Sequence, residues 1–181
     1  MREDRRMPAD DYLALSDEAL TRQCRFDTLR VQGPGGQNRN RRDTAVRLTH
    51  LPTGLVAQAS EQRSQLRNRQ EALRRLRATV ALEHRRPVAL DRYAPPAALE
   101  AILPPVPGRK ARDRIGPKHR DYWTGVQALL DLFVAVEGSV SETAERVGLS
   151  TGALSRFLLA DPRLVRAVNG WRESRGMRPL R

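Results

Sequence analysis

Apolar and polar residues alternate from Thr44 to Thr49, with Val46 and Leu48 on one side and Arg47 on the other. After His50-Leu51-Pro52-Thr53-Gly54, the residues Leu55, Ala57 and Ala59 take up the alternation again. A period of two on either side of a Pro/Gly turn predicts a β-hairpin. Upstream, Ser16 ahead of Asp17 and Glu18 sets a capping oxygen before negative charge, which starts a short helix ending near Cys24. Arg25 to Val31 reads as a strand, Leu29 and Val31 sharing a face. From Ser64 to His84 the spacing becomes helical, with Leu66, Leu73, Leu76 and Val80 on one side. A lone hairpin is barely stable in water, so this long helix is expected to cover it.

Residues 87–120 break the pattern. Pro87, Pro95, Pro96, Pro104, Pro105, Pro107 and Pro117 leave room for one short helix, around Ala97 to Leu103. From Asp121 the helical period returns: Tyr122, Val126, Leu129, Leu130, Phe133 and Val136 make an apolar face, stopped by Gly138. Ser139 with Glu142 fits a capping box, and the helix it opens closes at Gly148. A helix carrying Leu154, Phe157 and Leu158 follows. Asp161-Pro162 then opens a last one, with Leu164, Val168 and Trp171 inward. Residues 139–159 thus have helix-turn-helix spacing.

The fold class read from this pattern is α+β. A small antiparallel sheet packed on a long helix is followed by a basic, proline-rich linker and an all-α C-terminal bundle. The expected divisions are a flexible charged leader (1–13), a sheet-and-helix domain (14–86), the linker (87–120) and a helical module (121–181).

Between the first strand and the hairpin lies Gly33-Pro34-Gly35-Gly36-Gln37-Asn38-Arg39-Asn40. Three glycines and a proline in four residues hold neither helix nor central strand, so the stretch is a loop whose amides can approach another molecule closely. Gln37 sits at its tip with no acid, histidine or thiol beside it. Such a tip suits positioning and electrostatics better than acid–base chemistry. His50, His84 and His119 lack metal-ligand spacing, and neither metal nor cofactor is expected.

Charge sharpens the choice of partner. The net charge of +12 over 181 residues, positive in both halves of the chain, points to a polyanion. At 100° per residue, Arg63, Arg67, Arg74 and Arg85 lie within about 40° of one another beside the apolar side of the long helix. That stripe is read either as a solvated face or as a phosphate-binding one. Arg109, Lys110, Arg112 and Arg114 head a basic segment to Arg120 that can lie along RNA. With one cysteine no intramolecular disulfide can form, and a reduced compartment follows. The apolar runs are too short to cross a bilayer and residues 1–11 are charged rather than signal-like, so the expected location is cytoplasmic.

Ser16 to about His84 resembles the catalytic domain of class I peptide chain release factors and of the small ribosome-rescue peptidyl-tRNA hydrolases. Gly33 to Asn38, Thr44 to Gly54, Glu61-Gln62-Arg63-Ser64-Gln65 and Asn68 carry the likeness. It implies hydrolysis of the ester joining a nascent peptide to tRNA, with the large-subunit peptidyl transferase centre, its rRNA and P-site peptidyl-tRNA as partners. Gly35 and Gly36 would hold the loop in its active shape. The Gln37 N–H would stabilise charge on the ester oxygens, and its side chain would position water and exclude other nucleophiles. Arg39, Arg41, Arg42, Arg63, Arg67, Arg74, Arg109, Lys110, Arg112 and Arg114 would contact RNA or the ribosome. Family members often continue the loop with Val-Asn, where this chain has Asn38-Arg39-Asn40-Arg41-Arg42.

No domain able to read a stop codon is found in the chain, so codon-independent rescue of stalled ribosomes is expected rather than termination. In small rescue hydrolases a basic C-terminal tail can occupy the empty mRNA channel; residues 109–120 are the candidate for that role, but a folded module follows them. The alternative is a non-catalytic factor that keeps the fold to bind ribosomes or structured RNA. A DNA-binding regulator is a third reading, but residues 151–159 offer Thr151, Ser155 and Arg156 and no Asn, Gln or Lys to read base edges. Three helices packing around Leu130, Phe133, Leu154, Phe157 and Trp171 explain the same spacing. A monomer is the default.

Overall fold

The computed structural model describes residues 10–29, 44–105 and 114–181. They fall into two compact units, divided between Val80 and Ala81.

In the first unit Ser16 caps α1 (Asp17–Arg22), its hydroxyl accepting from the Ala19 amide at 3.2 Å. Three antiparallel strands follow: β1 (Cys24–Leu29), β2 (Ala45–His50) and β3 (Val56–Ala59), in the order β1-β2-β3. The register pairs Phe26 with Leu48 and Leu48 with Ala57, which puts these on one face with Val46, His50 and Ala59. Val46, Leu48, His50, Ala57 and Ala59 are buried; Arg47 and Gln58 point the other way into solvent. His50 is a buried polar residue with partners. Its Nδ1 lies 2.7 Å from the Thr53 hydroxyl and its Nε2 3.1 Å from the Gln23 carboxamide oxygen, tying the β2–β3 turn to the end of α1.

The long helix α2 (Gln65–Glu83) is one of the two places where the hydrophobic pattern needs correction. Leu66, expected on the covered side, is 65% exposed. The buried stripe is Asn68, Ala72, Leu73, Leu76, Arg77 and Val80, with two polar residues on the apolar face. Both are satisfied there. Arg77 donates to the Leu13 and Leu15 carbonyls at 3.1 and 2.8 Å and to the Asp17 carboxylate at 2.7 Å, fastening residues 13–17 to the helix. Arg75 reaches the Gln58 carbonyl on β3 at 2.7 Å, and the Arg69 guanidinium lies over the Phe26 ring at 5.5 Å.

The second unit is built around α4 (Tyr122–Ala135), which is buried on nearly every side rather than along one face. Segments from the proline-rich stretch provide the cover. Helix α3 (Ala97–Ile102) lies so close to α4 that a Cβ on Gly125 would stand 2.3 Å from the Ala98 carbonyl oxygen. The Arg86 amide and guanidinium donate to Asp131 at 3.1 and 3.3 Å, and Arg146 donates to the Leu90 carbonyl at 2.9 Å. Burial pushes the Asp131 carboxyl above its usual range, an effect opposed by Arg85 and Arg86.

The remaining helices are α5 (Val140–Val147), α6 (Thr151–Leu159) and α7 (Pro162–Glu173), each opened by a side-chain cap from Ser139, Ser150 and Asp161. Gly148 closes α5 at φ 77°, the left-handed region that glycine enters freely. Only half of the expected capping box forms at α5. The Ser139 hydroxyl accepts from the Glu142 amide, while the Glu142 carboxylate turns to Arg146 at 3.0 Å. Trp171 packs edge to face on Phe133 with ring centroids 5.7 Å apart. The chain end folds back on α7, where the Asn169 carboxamide exchanges two hydrogen bonds with the Leu180 backbone. No helix among the described residues is long and apolar enough to cross a membrane.

Candidate active-site loop and its cationic surroundings

The glycine stretch lies outside the described residues, and with it Gly35, Gly36, Gln37, Arg39, Arg41 and Arg42; so do Arg109, Lys110 and Arg112. What the structure describes is the frame that carries the loop. Leu29, the last residue of β1, pairs with Ala45, the first of β2. The chain between them therefore leaves and rejoins the sheet at one end, from neighbouring antiparallel strands.

Asn68 fixes the point of return. It is fully buried, and its two N–H groups donate to the Thr44 carbonyl at 2.6 Å and the Gln62 carbonyl at 2.9 Å. Its oxygen accepts from the Gln62 amide at 2.9 Å. One side chain thus joins the residue before β2, the turn ahead of α2 and α2 itself. Both side-chain donors are used, so rotation or loss of this carboxamide would strand buried backbone groups. Asn68 belongs to the motif read from the sequence, but its clamping role was missed. The available signal was an asparagine, a poor helix former, on the buried helix face of Ala72, Leu73, Leu76 and Val80.

The structure sorts the predicted arginine stripe into three kinds. Arg63 and Arg67 are exposed and have no side-chain partner among the described residues. Arg63 directly follows Gln62, whose backbone Asn68 binds together with Thr44, so a cation stands beside the loop's return. Arg74 is exposed but engaged with Glu71. Arg85 does not belong to the stripe: it lies beyond α2 in the second unit, largely covered, 3.2 Å from the Asp131 carboxylate. Helical projection continued past the end of the helix produced that error. Arg114 spends one N–H on the Ile102 carbonyl at 3.2 Å and lies over the Phe157 ring at 5.9 Å.

Other reactive groups serve structure. The Cys24 thiol donates to the Leu20 carbonyl at 3.2 Å, and burial pushes its pKa up, which keeps it protonated. Among the described residues no three His, Cys, Asp or Glu side chains gather to hold a metal ion. The frame can present a loop and place cations beside it. The described residues around it offer no acid–base pair.

Comparison with known proteins gives this arrangement a family. Residues 18–93 match the family model of the RF-1 domain. The chain is 45% identical over 69 residues to the mitochondrial peptide chain release factor 1-like protein of Mus musculus, covering 38% of this chain and 18% of that protein. Against peptide chain release factor 1 of Kineococcus radiotolerans it is 57% identical over 56 residues, 31% of this chain and 16% of the relative. Against that of Thermobifida fusca it is 52% identical over 59 residues, 33% and 17%. Each match thus spans less than a fifth of the relative's own length. The hairpin, the Asn68 clamp and the long helix all fall inside the matched span, and residues 18–93 carry the likeness to class I release factor catalytic domains.

Proposed function

We propose that this protein hydrolyses the ester of peptidyl-tRNA on the ribosome, in codon-independent rescue of stalled complexes. The observation that carries the reading is the glycine loop's place in the matched domain. Its ends are paired across β1 and β2, and its return is clamped by Asn68. In this reading Gly35 and Gly36 shape the loop, and the Gln37 N–H faces the charge that develops on the ester oxygens. One such donor is worth about 3 kcal/mol in the transition state. The Gln37 side chain positions the attacking water, so the chemistry is one of orientation and electrostatics. Arg39, Arg41, Arg42, Arg63, Arg67 and Arg74 would bring the loop onto rRNA in the peptidyl transferase centre, beside the P-site tRNA. Rescue rather than termination is supported by the basic segment from Arg109, which suits contact along RNA.

Peptide release from ribosomes stalled on truncated mRNA, set beside ribosomes carrying each stop codon, tests the proposal. Release from the first alone is the expected result. Gln37→Ala should abolish release while the protein still sediments with ribosomes. If Gln37→Ala releases peptide as fast as the parent, the catalytic assignment is wrong. Binding without release by the parent would instead favour a non-catalytic ribosome-binding factor.

A further inference from the structure

The second unit contains an open cleft of about 610 Å³ between the end of α3, residues 114–117, α6 and the start of α7. Its apolar wall includes Pro104, Ile115 and Ala153, backed by the buried Ile102 and Phe157. Two guanidinium groups, Arg114 and Arg156, stand on it, and neither has a carboxylate partner among the described residues. That sets them apart from Arg75, Arg85, Arg86, Arg146 and Arg163, each of which is ion-paired. The one acid on the cleft, Asp161, is already committed. Its oxygens accept from the Arg163 amide at 2.8 Å and from the Arg163 guanidinium at 3.0 and 2.7 Å. The cleft therefore offers two cations with no carboxylate partner among the described residues, Arg114 held by the Ile102 carbonyl and the Phe157 ring, against an apolar surface with no free anion.

We propose that this cleft binds one nucleotide unit of single-stranded RNA, its phosphate drawn by Arg114 and Arg156 and its base resting on the apolar wall. A planar base with an attached anion matches that division of chemistry, and 610 Å³ has room for it. A polynucleotide is favoured over an acidic peptide by the surroundings. Lys118, His119 and Arg120 continue the exposed segment from Arg114, the chain carries +12 overall, and RNA repeats its charge at every residue. The assignment concerns the second unit alone and does not rest on the release reaction.

The test is fluorescence anisotropy of a labelled pentaribonucleotide titrated with the full chain at several salt concentrations. Ala153→Trp, which fills the cleft without changing charge, should weaken binding about tenfold. Arg156→Glu, at an exposed position, should do the same and lower the salt dependence. Loss of both arginine contacts in Arg114→Ala with Arg156→Ala should reduce the log–log slope by about 0.7, the value for one phosphate on a single strand. Arg166→Glu, exposed on α7 and outside the cleft, is the control for charge alone and should have little effect. Circular dichroism establishes that Ala153→Trp is folded; if it is not, Arg156→Glu against Arg166→Glu decides. Parent-like binding by both cleft variants overturns the proposal, and so does an equal loss with Arg166→Glu. Displacement of the RNA by an acidic peptide at lower concentration than unlabelled pentamer also overturns it and assigns the cleft to a peptide. None of these readings involves peptide release, so failure of the ribosome assay leaves them intact.

Discussion

Two polar side chains that the apolar pattern hides, Asn68 and Asp161, govern how firmly their surroundings are held. Asn68→Ala removes three hydrogen bonds and leaves buried groups at Thr44 and Gln62 without partners, so it should cost about 3 kcal/mol. Hydrogen exchange should register this as faster exchange along β2, starting at Ala45, the first residue of that strand. Asp161 caps α7, and its pKa is held below the usual carboxylate range chiefly by the Arg163 side chain, with the Arg163 amide adding to the effect against burial. A depressed carboxyl contributes stability that is present above its unfolded value, about 3.9, and is lost as pH falls through the folded value. Asp161→Asn keeps a capping oxygen but cannot titrate. Its urea midpoint should therefore fall less than the parent's between about pH 5 and about pH 3. Trp123 and Trp171, the two tryptophans of the chain, both lie in the second unit and provide the fluorescence readout.

At the scale of elements, the contact between α3 and α4 depends on a missing side chain. Gly125→Ala would put a methyl group 2.3 Å from a backbone oxygen, and helix backbones do not yield as flexible side chains do. The cost should be about 2 kcal/mol, seen as a lower melting temperature. Gly170→Ala is the counterpart: it lies inside α7 with open space around it and should raise stability by about 0.5–1 kcal/mol. The helix ends show what could be read from the residues. Caps at Ser16, Ser139 and Asp161 and the stop at Gly148 are local chemistry; α1, α5 and α7 start, and α5 ends, where that chemistry puts them. The all-round burial of α4 was not legible, because a period of 3.6 reports one covered face and says nothing of a second partner distant in sequence. Leu66 misled for the opposite reason. It has the right spacing, but Asn68 holds the buried position at that end of α2.

Across the whole molecule, charge and chemistry are carried by different residues, so they can be separated. Arg63 and Arg67 are exposed and have no side-chain partner among the described residues, so replacing both with alanine should leave the melting temperature unchanged. Co-sedimentation with large ribosomal subunits should weaken, and the slope of log affinity against log salt should fall by about 1.4 to 1.8 for the two contacts. The candidate loop stands out in the sequence because its glycines, proline and glutamine are followed by the hairpin, the Leu51-Pro52-Thr53-Gly54 turn and the Arg63-Ser64-Gln65 helix start. Its support was not legible, since Asn68 acts through a bond to Thr44, 24 residues away in sequence. That support has a genetic corollary. The pairing of Leu29 with Ala45 runs through backbone groups and the clamp on Thr44 through the Asn68 side chain, so a change confined to the loop should leave these contacts in place. Under the proposed function, an allele carrying Gln37→Ala would encode a stable protein that binds ribosomes and stays there unproductively. Expressed beside the parent, it would behave as a dominant inhibitor rather than as a simple loss.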